Sequence, residues 1–186
     1  IDFVDRVAFP FPGYAAFTLL GFPPEDTELL KEWSAKRVLL TYGRLTDEQQ
    51  VEIAGIIVSF WNYCEAHVAR CRAERPDNLT TDLINLADAK PEQLNDFDIL
   101  NMVYSMALAG HETTCNTIGN GMRALLSNPD QWAAIVADPS VIDNAVEEIL
   151  RWSSPVMHFR RTAMRDLELR GKQIKAGDKV VLWHVS

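Results

Sequence analysis

Apolar residues recur along this chain at helical spacing over long stretches, separated by short segments of proline, glycine or clustered charge. That pattern predicts a mainly α protein. Residues 1–24 are rich in proline and aromatics. Pro10, Pro12, Pro23 and Pro24 interrupt helices there and set a corner, leaving a short helical piece near Tyr14 to Leu20. A helix follows over about 26–41, with Leu29, Leu30, Trp33, Val38 and Leu39 as its apolar face. Thr46 with Gln49 three residues on reads as a capping box, and the helix behind it runs to about Arg75. Its last part, His67 to Arg75, is charged and is expected to face solvent, with no pattern assigned to His67 or His184. After a turn at residues 75–78, Thr80 or Thr81 caps a short helix that ends near Leu86.

The most apolar stretch is Leu94 to Leu126. Asn95 and Asp98 form an acidic variant of the capping box at its start. Ile99, Leu100, Met102, Val103, Tyr104, Met106, Ala107 and Leu108 then make a helix apolar on nearly every side, as expected of one in the middle of a protein. Pro129 opens a further helix, Asp138-Pro139-Ser140 ends it, and another runs from about Ser140 to Trp152. From Pro155 the pattern changes to short strand-like runs at residues 160–163, 167–169, 173–174 and 180–183, with Gly171 and Gly177 in turns. Helices dominate, and a small β-sheet follows at the C-terminal end.

Charge narrows the function. Eighteen basic residues stand against 26 acidic ones, a net charge of -8. That balance disfavours nucleic acid and anionic membrane surfaces as partners. No apolar run approaches the roughly 20 residues of a membrane span, and no basic-then-apolar leader is present, so a cytoplasmic location is expected. Cys64, Cys71 and Cys115 show no paired spacing and are expected to be free thiols, Cys115 as a small buried hydrophobe.

Chemistry concentrates at the centre of the apolar helix, in Ala109-Gly110-His111-Glu112-Thr113-Thr114. Glycine in a helix interior costs about 1 kcal/mol relative to alanine, and buried carboxylates and hydroxyls need partners. Several unfavourable choices at one spot mark a candidate site. Two alternatives accompany it. His111 and Cys115, four apart, could share a zinc ion on one helix face, although no third ligand is assignable. The chain could also be a non-catalytic helical interaction fragment. Further on, Glu148 and Arg151 stand three apart and can pair, and their apolar neighbours Ile149, Leu150 and Trp152 raise the expectation of partial burial.

Taken in order, the Ala-Gly-His-Glu-Thr-Thr run, Glu148-Ile149-Leu150-Arg151, and Ser154-Pro155-Val156 followed by Arg161 resemble the cytochrome P450 family, in particular its soluble bacterial members. The resemblance spans essentially the whole chain, including Leu20-Gly21-Phe22-Pro23 and Ser127-Asn128-Pro129. It implies a P450-like helical fold with a long central helix, residues 1–186 forming one incomplete domain. It also implies a heme-thiolate monooxygenase that uses dioxygen, a small hydrophobic substrate and electrons from a ferredoxin/reductase-type donor. The cofactor would be heme b (iron protoporphyrin IX). The family's Phe-x-x-Gly-x-x-x-Cys-x-Gly loop is absent from these residues, so the iron-ligating cysteine is expected outside this chain and the chain alone is expected to be inactive. By the same resemblance Glu112 and Thr113 serve oxygen activation and proton delivery. Ala109 and Gly110 leave room for a flat macrocycle, with Thr114 beside them, and Arg161 pairs with a heme propionate. Met106, Val156, Met157 and His158 line the substrate side, and Glu148 with Arg151 forms a structural ion pair. His111 is expected to turn away from the reaction.

Overall fold

The computed structural model describes residues 1–185, apart from the Tyr42 side chain. The chain forms two compact units, Ile1–Gly119 and the residues from Asn120 on.

In the first unit a single π-helical turn, Val4–Ala8, leads into α1, Pro10–Leu20. The helix begins earlier than the prolines suggested. Pro10 and Pro12 fall in its first turn, where backbone N–H groups have no intrahelical partner and a missing one disrupts nothing. Gly21 ends α1 in the left-handed conformation, φ 82°. A 3₁₀ turn, Pro24–Asp26, then starts α2, Thr27–Tyr42. Its buried stripe is Thr27, Leu30, Lys31 and Ser34 at i, i+3, i+4 and i+7, while the expected face residues Leu29 and Leu39 are exposed. Lys31 can lie in that stripe because its Nζ donates to both Glu28 carboxylate oxygens at 2.9 Å.

The capping box forms at α3, Asp47–Glu74, with both reciprocal bonds between Thr46 and Gln49 present. The expectation that His67–Arg75 faces solvent fails for His67, Val68 and Cys71, which are buried. Phe60, Cys64, His67, Val68 and Cys71 make one buried stripe, and only Arg70, Glu74 and their neighbours face outward. A histidine is tolerated in this core because its Nε2 lies 3.0 Å from the Leu20 carbonyl and its Nδ1 accepts from Arg70 at 3.0 Å. Asn78, rather than Thr80 or Thr81, caps α4, Leu79–Ala89, accepting from the Thr81 amide at 2.9 Å. Thr80 is buried instead and donates to the Leu20 carbonyl at 2.7 Å.

The central helix is α5, Asp96–Ser127, opened by the expected Asn95–Asp98 reciprocal cap. Ile99, Leu100, Val103 and Ala107 join Phe17, Leu20, Leu30, Phe60 and Ile84 in the core of the first unit, and His111 and Cys115 continue the same face. The helix is not buried all round. Met102, Ser105, Ala109 and Asn116 are exposed along its other side.

The second unit carries the last turns of α5, then α6, Pro129–Ala137, and α7, Ile142–Ser153, with a 3₁₀ turn between them. A Cβ on Gly121 would lie 2.7 Å from Ile149 Cγ2, so α7 packs there against bare backbone. The C-terminal β region resolves into two antiparallel pairs rather than one sheet. Strand β1, His158–Thr162, pairs with β4, Lys179–Trp183, and β2, Leu167–Leu169, pairs with β3, Lys172–Ile174.

Candidate active site

Glu112 and Thr113 lie half-buried on α5, at the edge of its open side. Thr113 Oγ1 donates to the Ala109 carbonyl at 2.8 Å, a back-bond of the kind a helical threonine commonly makes. Its one hydrogen is thereby engaged, and its lone pairs remain for a donor. Glu112 makes no hydrogen bond among the described residues. Ala109 and Thr114 are exposed. Met106 is half-buried and packs on the core cluster, which accounts for its apolar character without a ligand.

Gly110 meets α1 closely: a Cβ there would lie 2.9 Å from Ala16 Cβ. The glycine lets two helix backbones approach. The room on the open side comes from Ser105, Ala109 and Thr113 at i, i+4 and i+8, three small side chains in a row.

His111 turns to the other side, as expected. It is fully buried against Phe9, ring centroids 4.8 Å apart, and Phe17, 6.2 Å apart. Its Nε2 lies 3.0 Å from the Phe9 carbonyl, so the hydrogen is assigned to Nε2, and the buried Nδ1 has no partner among the described residues. Burial lowers its pKa, opposed by the bond to Phe9 and by the Glu112 charge. Cys115 Sγ lies 3.5 Å from the same Phe9 oxygen, and burial pushes its thiol up to about 11. The i,i+4 pair therefore converges on a carbonyl as two donors. No third histidine, cysteine or carboxylate groups with it among the described residues. Phe9, distant in sequence, carried no signal that could have shown this convergence.

In the second unit, Arg161 lies on β1 with its guanidinium over the Phe159 ring, 5.2 Å to the centroid, and Nη1 donating to the Arg160 carbonyl. No carboxylate pairs with it among the described residues, so most of its N–H fork is available to one. Val156 and His158 are half-buried and Met157 is exposed; the His158 ring lies 4.9 Å from that of Trp183. Glu148 and Arg151 form the expected pair, bidentate with both N–O distances 2.6 Å, but it is not buried: the side chains are 59% and 60% exposed. The hydrogen bond to Arg151 lowers the Glu148 pKa. A cleft of about 570 Å³ between α5, α6 and α7 is lined by Leu125, Ile135, Ile149 and Trp152, and of the expected site residues it touches only Glu148.

Taken singly, these residues suit a heme in their donor chemistry and small size. A row of small side chains on α5 suits a flat apolar ring, and an arginine without a carboxylate suits a propionate. Among the described residues no helix is long and apolar enough to cross a membrane.

Comparison with known proteins bears on the whole chain. Residues 25–140, more than half of it, match the family model described as cytochrome P450. A steroid C26-monooxygenase of Mycolicibacterium smegmatis is 38% identical over 97% of this chain and 41% of that protein. The erythromycin C-12 hydroxylase of Saccharopolyspora erythraea is 36% identical over 100% of this chain and 47% of its own length. The solved structure of cytochrome P450 CREJ superposes with a TM-score of 0.91 at 38% identity, covering all of this chain and 47% of that one. The chain spans less than half the length of the curated relatives it matches. With the motifs in order on α5, α7 and β1, a matching family model and solved folds that superpose along its full length, this chain belongs to the cytochrome P450 family.

Proposed function

We propose that the protein carrying this chain is a cytoplasmic heme-thiolate monooxygenase. It would insert one atom of dioxygen into a small hydrophobic substrate, with electrons from a ferredoxin/reductase-type donor. Heme b, held by a cysteine thiolate outside these residues, supplies iron that activates dioxygen. The chain's own residues do the rest.

The observation that carries the proposal is the Thr113 back-bond beside a Glu112 without a hydrogen-bond partner among the described residues, on the open side of α5. With its hydrogen held by the Ala109 carbonyl, Thr113 Oγ1 accepts a hydrogen bond from a protonated group and keeps that group oriented. Glu112, half-exposed and free of competing bonds among the described residues, takes protons from solvent and passes them on as a general acid. Ala109 presents only a methyl group, leaving space above the helix, and Thr114 flanks it. Arg161 holds a propionate by a forked ion pair. Val156, Met157 and His158 each contact the substrate, and Met106 is a further contact residue. A hydrophobic substrate is in keeping with the steroid named for one relative. Glu148 and Arg151 hold each other and brace α7.

Two measurements on the full-length protein test this. Its reduced carbon-monoxide complex should show the thiolate-heme band, and absence of that band defeats the proposal. Thr113→Ala should keep the heme while diverting reducing equivalents from product to peroxide; unchanged coupling would remove Thr113 from proton delivery.

A further inference from the structure

Glu112 and Thr113 sit within a single turn whose two ends are fastened to one atom. His111 Nε2 lies 3.0 Å from the Phe9 carbonyl oxygen and Cys115 Sγ lies 3.5 Å from it. Phe9 joins the π-helical turn to α1, its own N–H bonded to the Val4 carbonyl at 2.8 Å, so the acceptor is itself held in place. One residue before, Gly110 lets α5 approach α1 as closely as backbone allows, at Ala16. Successive helical residues are spaced about 100° around the axis, so fixing the rotation of residues 110, 111 and 115 also fixes residues 112 and 113. Three contacts on one side of α5 thus set which side chains occupy the other.

The choice of imidazole is informative. The slot is walled by Phe9 and Phe17, and an apolar ring would fill it without stranding a nitrogen. Histidine leaves Nδ1 buried and without a partner among the described residues, which is unfavourable. What it adds is one N–H directed at Phe9. We propose that His111, seconded by Cys115, is a positioning residue for the Glu112–Thr113 pair. Its bond to the Phe9 carbonyl sets the rotation of α5 at which the acid and the alcohol face the open side; this rests on the function proposed above.

The test uses the full-length holoenzyme and four variants. His111→Phe keeps the ring in its slot and removes the donor, while His111→Gln restores an N–H of similar reach. Cys115→Ala and Cys115→Ser make the same comparison at the second contact. His111→Phe should retain the carbon-monoxide band yet lose coupling of electrons to product by roughly tenfold, within the range expected when a reacting group shifts by about 1 Å. His111→Gln should recover most of it. Wild-type coupling in His111→Phe, or no recovery in His111→Gln, overturns the proposal. Should His111→Phe not fold, a coupling loss in Cys115→Ala that Cys115→Ser repairs supports it, and equal behaviour of those two overturns it. Amide exchange over residues 110–116 provides a readout independent of turnover. Faster exchange in His111→Phe than in His111→Gln supports the contact even if the carbon-monoxide band is absent from wild type, a result that would defeat the monooxygenase proposal alone.

Discussion

Replacing Gly21 by alanine should destabilise the first unit by about 2–3 kcal/mol, and the structure shows where that magnitude arises. Gly21 adopts φ 82°, a region that costs a residue with a Cβ about 1–2 kcal/mol. The added Cβ would also stand 2.0 Å from Asn78 Nδ2, 2.5 Å from its Cγ and 2.8 Å from its Cβ. Asn78 cannot simply turn aside. Its Oδ1 accepts from the Thr81 amide at 2.9 Å to cap α4, and its Nδ2 lies 3.8 Å from Cys71 Sγ. Losing such a cap is worth about 1 kcal/mol. The assay is thermal unfolding followed by circular dichroism, where about 2–4 °C of Tm is lost per kcal/mol for a chain of this length. Gly55→Ala is the internal control. Gly55 lies inside α3 with nothing within 4 Å of an added Cβ, so the same chemical change there should stabilise by about 0.5–1 kcal/mol. Equal effects of the two substitutions, or a Gly21→Ala protein within about 0.5 kcal/mol of wild type, would refute the assignment of Gly21 to a turn closed by Asn78.

Further outcomes follow from the same residues. Arg161→Ala should lower heme retention in the full-length protein, and Arg161→Lys should lower it less; unaltered heme content in a pyridine hemochrome assay would contradict the propionate role. His67 and His111 are buried, and burial lowers both pKa values below the ordinary 6.5, so the unfolded chain binds more protons as the solution is acidified. Their contribution to stability is complete above about pH 6.5 and declines as pH falls through that value toward the folded pKa. Urea midpoints between pH 7.5 and 5.5 should drop more steeply for wild type than for His67→Gln, and parallel curves would refute this. Burial raises all three thiols, Cys64 to about 12 and Cys115 to about 11. Native protein at pH 8 should therefore react with a disulfide reagent far more slowly than protein in denaturant; fast stoichiometric labelling of the native state would contradict the burial of all three.

Local patterns in this chain carried local structure. The Thr46–Gln49 and Asn95–Asp98 caps and the Glu148–Arg151 pair all involve residues three positions apart, where backbone geometry alone brings the partners together. The family resemblance was likewise legible because it rests on short motifs in a fixed order, Ala109–Thr114, Glu148–Arg151 and Ser154–Val156 with Arg161.

What failed, or was unreadable, depended on a partner far away in sequence. His67 was expected at the surface because its neighbours are charged; it is buried because Leu20 and Thr80 meet it across the fold. Thr80 looked like a cap and is a core hydrogen-bond donor to Leu20. The Glu148–Arg151 pair was expected to be partly buried, yet it is exposed among the described residues, because burial depends on what lies opposite rather than on apolar neighbours in sequence. Gly110 packs closely on Ala16, and His111 and Cys115 converge on the Phe9 carbonyl, contacts that no helical periodicity encodes. Residue spacing alone establishes which side chains share a turn of α5 and hence which chemistry that helix carries. Which side of it is packed and which is open follows from contacts made elsewhere in the chain, because those contacts set the rotation about the helix axis.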